Sequence, residues 1–126
     1  MTKKIYIINA NYYEEISDRL VSGAVNFLNK NDISHEIVNV PGALEIPTVI
    51  NLIYDKINTN TSDIGFIAIG CVIRGETSHY EIVVNESASG ITQLSILNNI
   101  IITNSILTVE NNKQALNRSL NDTTNK

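Results

Sequence analysis

Gly75-Glu76-Thr77-Ser78-His79 is the segment of this sequence best equipped for chemistry. It follows a long apolar run and precedes a helical pattern, which puts its backbone at a helix N-terminus. There the unpaired N–H groups and the helix dipole favour an anion such as phosphate. Gly75 lets the backbone approach a ligand closely, and the Thr77 and Ser78 hydroxyls can add hydrogen bonds. His79 supplies an imidazole, a group whose ordinary pKa of ~6.5 suits proton transfer near neutral pH. Spacing alone favours a plain capped βα turn, since Ser78-x-x-Glu81 has the form of a capping box, a common arrangement.

Four other positions carry usable groups. Glu45, in Pro41-Gly42-Ala43-Leu44-Glu45-Ile46-Pro47, lies near a second helix N-terminus. A carboxylate there is favoured by the dipole and is also placed to accept hydrogen bonds from a polyol. Tyr12 and Tyr13 could stack on a flat heterocycle, or simply pack at a strand end. Arg118 suits a helix C-terminus as a cation. Cys71 is the only cysteine, which excludes an internal disulfide and gives no metal-ligand spacing. It reads as a small buried residue, and His35 as a surface or packing residue.

Four apolar runs alternate with four helical patterns and must position these groups. Residues 4–9 read as a strand rich in β-branched and aromatic residues. Ile16, Leu20, Ala24, Phe27 and Leu28 recur at helical spacing, and residues 29–32 close that helix. A second strand spans 34–40. A second helix starts around Ala43, with Ile46, Val49, Ile50, Ile53 and Ile57 on one face. Pro47 is compatible with it only in the first turn. After a polar loop over 58–63, residues 64–71 are continuously apolar and suit a central strand covered on both faces. The capping box then predicts a third helix from Ser78 to about Asn98, with Ser87-Ala88-Ser89-Gly90 as a small-residue face. A fourth strand over 100–107 and a short helix over 108–119 complete the pattern.

This alternation predicts a parallel α/β/α sandwich, flavodoxin-like, of strand order 2-1-3-4. Its switch point falls between strands 1 and 3, so a ligand crevice is expected where those strands end. The ends carry Asn9-Ala10-Asn11-Tyr12 and Cys71 through Thr77, which includes the segment singled out above.

The bulk numbers agree with one domain spanning 1–126. At 43% hydrophobic and 17% charged the chain can bury a core. A net charge of −4, with no Lys/Arg block, argues against nucleic acid or anionic membrane as partner. No apolar run approaches bilayer length, and the start has no signal-peptide pattern, so a cytoplasmic location is expected.

The run Gly70-Cys71-Val72-Ile73-Arg74-Gly75-Glu76-Thr77-Ser78-His79-Tyr80 resembles the signature loop of the 6,7-dimethyl-8-ribityllumazine synthase family. Asn11-Tyr12-Tyr13, Pro41–Pro47, Asn85–Ile91, Asn104–Asn111 and Gln114–Arg118 follow the family pattern in the same order. The resemblance implies condensation of 5-amino-6-ribitylaminouracil with 3,4-dihydroxy-2-butanone 4-phosphate, releasing phosphate and water, with no cofactor or metal. It also implies roles. Tyr12 would stack on the pyrimidine; Ala43, Leu44 and Glu45 would hold the ribityl chain; Val72 and Ile73 would touch the uracil edge. Glu76, Thr77 and Arg118 would bind phosphate, and His79 would transfer protons. Asn104 and Arg118 would come from a neighbouring subunit, making a homopentamer the minimal unit.

Three departures from the pattern bear on these expectations. Asn104 stands where many relatives have Phe. Residues 119–126 lack the Gly- and Lys-containing turn of capsid-forming members, and read as a polar, fraying tail in which Lys126 aligns with a substrate-contacting Lys. The family also has a last helix, of roughly five turns, beyond this sequence, and its loss would uncover apolar surface on one sheet face. The alternatives to an active synthase are a truncated inactive homologue, a flavin- or nucleotide-binding flavodoxin-like module, and a purely structural assembly protein.

Overall fold

A computed structural model describes residues 3–57 and 63–120. Strands β1 (Lys4–Ala10), β2 (Ser34–Val40), β3 (Ile64–Ile73) and β4 (Ile102–Val109) form one parallel sheet in the order β2-β1-β3-β4, as predicted. Helices α1 (Glu14–Lys30), α2 (Ile46–Ile57), α3 (His79–Asn98) and α4 (Asn112–Arg118) alternate with the strands. Side chains alternate across the pleat and so feed two cores. Ile8, Phe66 and Ala68 pack against Ile46 and Ile50 of α2 and Val83 and Ile91 of α3. On the opposite face Ile7 and Ile69 pack against Ile16, Leu20 and Leu28 of α1 and Ala115 of α4. Each fully buried isoleucine stabilises the sheet by roughly 1.5–3 kcal/mol.

Local chemistry explains where the elements depart from expectation. The helix placed at Ala43 is split into a 3-10 turn, Ala43–Glu45, and α2. A continuous α-helix would need an N–H at residue 47 to bond the Ala43 carbonyl, and Pro47 has none. The Ile46 N–H takes that carbonyl instead, in the tighter pattern. Pro47 thus lies in the first turn of α2, as its ring requires.

The capping box assigned to Ser78 and Glu81 does not form. Ser78 makes no side-chain cap, and the Glu81 carboxylate accepts from Arg74 instead. Reciprocal capping occurs at α4. Asn111 Oδ1 accepts from the Gln114 N–H at 2.9 Å, and Gln114 Oε1 accepts from the Glu110 N–H at 2.8 Å. This cap moves the start of α4 from 108 to 112 and lets β4 run on to Val109. Ser119, assigned to a polar tail, is fully buried and closes α4 with its N–H on Ala115 O. Lys126, with the rest of 121–126 and the loop over 58–62, lies outside the described residues.

The small-residue face of α3 is used. Ser87 is buried, and Gly90 lies so close to Pro47 that an added Cβ would sit 2.7 Å from Pro47 Cγ. This contact fixes α3 against the first turn of α2. It also holds together two of the segments that frame the crevice.

Candidate active site

A cleft of about 490 Å³ opens at the carboxyl ends of β1 and β3, at the predicted switch point. Its size falls within the range typical of small-molecule sites. Four stretches of chain wall it: Tyr12-Tyr13 after β1, Pro41–Glu45 after β2, Cys71–Ile73 ending β3, and the Gly75–His79 loop with the first turns of α3.

Of the residues expected at the site, Tyr12, Ala43, Leu44, Glu45, Val72, Ile73, Thr77 and His79 all line this cleft. Tyr12 is 73% exposed and meets Tyr13 edge to face at 4.9 Å, leaving a ring face free for a planar ligand. Glu45 folds back over the turn, its Oε2 lying 3.2 Å from where a Cβ on Gly42 would stand. A side chain at residue 42 would crowd the carboxylate away from that position. The His79 N–H reaches Thr77 Oγ1 at a long 3.4 Å, and both residues are exposed.

Three expected residues are not in the cleft wall. Glu76 is exposed in the loop. Asn104 lies on edge strand β4, in the same file as Ile102 and Ile106, with its Oδ1 accepting from the Ile106 N–H at 3.0 Å. Arg118 is exposed in the last turn of α4. Within one chain, therefore, Asn104 and Arg118 are not brought to the other eight.

Two polar groups of residues support the cleft and were missed by sequence reasoning. Asn9, buried in β1, donates to Asn39 Oδ1 of β2 at 3.0 Å and accepts from the buried Ser17 hydroxyl of α1 at 3.1 Å. The Ser17 N–H in turn bonds Tyr13 O at 2.9 Å. The strand ends carrying Tyr12 and Pro41 are thus pinned together. The available signal was an asparagine inside an otherwise apolar strand.

The second group centres on Arg74. Its guanidinium bonds Glu81 at 2.5 Å and Glu110 at 2.7 Å, and stacks 4.4 Å over the Tyr80 ring. The hydrogen bond from Arg74, with help from the backbone, holds the Glu81 carboxyl below the ordinary carboxylate range. Burial pushes the Cys71 thiol up to about 11, so it is neutral and a poor nucleophile. Burial first, then the neighbouring Tyr12 and Cys71, raises the Tyr13 phenol.

Among the described residues no group of three or more His, Cys, Asp or Glu could hold a metal ion, and no helix is long and apolar enough to cross a membrane. The arrangement offers an aromatic face, a carboxylate acceptor, apolar strand-end contacts, an anion-favouring helix start and an imidazole.

Known proteins carry the same pattern. A profile of the 6,7-dimethyl-8-ribityllumazine synthase family matches residues 2–126. The 6,7-dimethyl-8-ribityllumazine synthase of Bartonella henselae is 47% identical over 97% of this chain and 77% of its own length. Those of Bartonella tribocorum and Bartonella bacilliformis are each 46% identical over the whole chain, which matches 83% and 86% of their lengths. With the parallel fold and a strand-end cleft already in place, this match shows that the chain belongs to the 6,7-dimethyl-8-ribityllumazine synthase family.

Proposed function

We propose that this chain is the transferase of riboflavin biosynthesis that condenses 5-amino-6-(D-ribitylamino)uracil with 3,4-dihydroxy-2-butanone 4-phosphate. The observation that carries the assignment is the convergence of Tyr12, Ala43–Glu45, Val72–Ile73, Thr77 and His79 on one cleft. Tyr12 stacks on the pyrimidine, and Val72 and Ile73 meet its edge. Leu44 and Glu45 run along the ribityl chain, with the carboxylate accepting from its hydroxyls. Phosphate sits at the start of α3, against the N–H groups of Glu76 and Thr77 and the Thr77 hydroxyl.

The amine of the uracil attacks the ketone and loses water to form an imine. Phosphate then leaves by elimination, and the ribityl-bearing nitrogen adds to the remaining carbonyl and closes the ring with loss of a second water. His79 moves protons between these steps. Holding the two substrates in one cleft supplies much of the rate.

A second copy of the chain completes the site. Arg118 lies outside the cleft of its own chain, and phosphate at Thr77 needs a counter-cation, because Arg74 is already engaged by two carboxylates. A homopentamer in which Arg118 and Asn104 reach a neighbour's cleft meets this need. The phosphorylated substrate cannot cross a bilayer unaided, which fits a cytoplasmic enzyme.

The test is lumazine formation, followed by absorbance and fluorescence. His79→Ala should lower kcat with both KM values largely kept. Arg118→Ala should raise KM for the sugar phosphate. Mixing these two variants should restore activity to about a quarter of the sites if each site draws on two subunits. No turnover by the folded parent would refute the enzyme assignment, and no recovery on mixing would refute the shared site.

A further inference from the structure

We infer that Arg74 is a positioning residue for the Gly75–Ser78 loop, a clamp between the strand before it and the helix after it. The inference rests on the phosphate site proposed above and assigns Arg74 no contact with the ligand. Arg74 ends the run of β3 into the loop, and its N–H bonds Val109 O at 2.9 Å, which ties it to the end of β4. Its side chain then spans the loop. One arm donates to Glu81 and the planar face lies on Tyr80, both in the first turn of α3, while Nε donates to Glu110 just past β4. Three elements are joined by one guanidinium, whose flat fork of donors suits simultaneous carboxylate pairing and ring stacking.

The loop has little else to fix it. All of residues 75–79 are exposed, and a Cβ on Gly75 would meet nothing within 4 Å. Fixing the separation of the two loop ends removes much of the freedom that phosphate binding would otherwise have to remove. The same clamp sets the start of α3, and with it the place of His79 beside the cleft.

A direct role in holding phosphate is the competing use of an arginine at this position. Charge speaks against it. One guanidinium between two carboxylates leaves the cluster net negative, so it would repel an anion. The two roles predict opposite signs for the same substitution. Neutralising Glu110 or Glu81 weakens a clamp, whereas it would release Arg74 to bind phosphate better.

The experiment compares Glu110→Gln, Glu81→Gln, Arg74→Gln and Arg74→Lys with the parent in the assembled protein. Three quantities are read: KM for 3,4-dihydroxy-2-butanone 4-phosphate, the Kd of inorganic phosphate by titration, and amide hydrogen exchange over Gly75–His79. Both Glu variants should raise the sugar-phosphate KM and the phosphate Kd roughly two- to fivefold, as for loss of one arm of an exposed ion-pair network. KM for the uracil should stay within about twofold, since its contacts lie on other segments. Exchange over the loop should quicken in every variant. Arg74→Lys should fall short of rescue, because an ammonium cannot reproduce the two-sided fork.

Tighter phosphate binding by Glu110→Gln or Glu81→Gln would overturn the inference, as would unchanged loop exchange in all variants. Hydrogen exchange needs no turnover, so it decides the clamp even if the parent proves to lack the proposed activity. Should Arg74→Gln fail to fold, the exposed Glu110 carries the comparison.

Discussion

Gly90→Ala tests the packing of α3 on α2. In an open helix the change should stabilise, since alanine is favoured over glycine by about 1 kcal/mol in a helix interior. Here the new methyl would stand 2.7 Å from Pro47 Cγ and 2.9 Å from its Cβ, distances that cannot persist. The neighbour is a rigid ring in the first turn of α2, so the helices themselves must part. Overpacking of this kind costs typically 1–3 kcal/mol, which outweighs the helical gain. The expected net loss is about 1 kcal/mol, or a fall in Tm of about 4 °C for a chain of this length. Urea and thermal unfolding at fixed protomer concentration would measure it. Pro47→Ala in the same background removes the Cγ in closest contact and should recover about half of the loss, a coupling that a double-mutant cycle isolates. A Gly90→Ala protein as stable as the parent, or more so, would refute the close approach.

Three further outcomes follow from the polar and titrating groups. Asn9→Leu should cost about 1–3 kcal/mol, because the buried Ser17 hydroxyl and Asn39 lose their partner; a change under about 0.5 kcal/mol by urea unfolding would show that the network is dispensable. Cys71 should react with iodoacetamide roughly 100-fold more slowly than a free thiol below pH 9, given its rise from 9.0 to about 11, and labelling at an ordinary rate would contradict its burial. Glu81 has a depressed carboxyl, so its contribution is complete above the ordinary carboxylate range and lost as pH falls through its lower folded value. Loop hydrogen exchange, corrected for its intrinsic pH dependence, should therefore rise only below that range; a rise already near neutrality would separate the loop from this carboxylate.

Backbone-scale features were the most legible from the residues. The unbroken apolar run of β3 suited a strand covered on both faces, and the alternation of elements left few topologies beyond the observed order. The crevice position followed from that order, and eight expected residues line it. Side-chain partnerships were less legible because they depend on neighbours far away in sequence. Ser78 and Glu81 have the spacing of a capping box, but Arg74 competes for the carboxylate and wins it with a charge-assisted bond. Asn9 looked like one more residue near a strand end until Asn39 and Ser17, 30 and 8 residues away, supplied its partners. Asn104 and Arg118 do not line the cleft of their own chain, and nothing local to them marks a role elsewhere; only the family pattern assigns them to a neighbouring subunit.

The pairing of β1 also bears on how the chain comes to be folded. Lys4 lies beside Ser34 on one side and Ile64 on the other, so the central strand must wait for chain made some 30 and 60 residues later. Such non-local pairings form slowly, because loop-closure entropy is lost before the contacts that reward it exist. During synthesis the apolar segment Ile5–Ile8 would emerge early and remain without its second neighbour until β3 had left the ribosome. Over that interval it is an unpaired edge open to other chains, and a natural point for chaperone capture. Tyr12 and Thr77 come to one cleft only when that wait ends, so a chain stalled before β3 would hold the Tyr12 wall of the cleft and none of its Gly75–His79 wall.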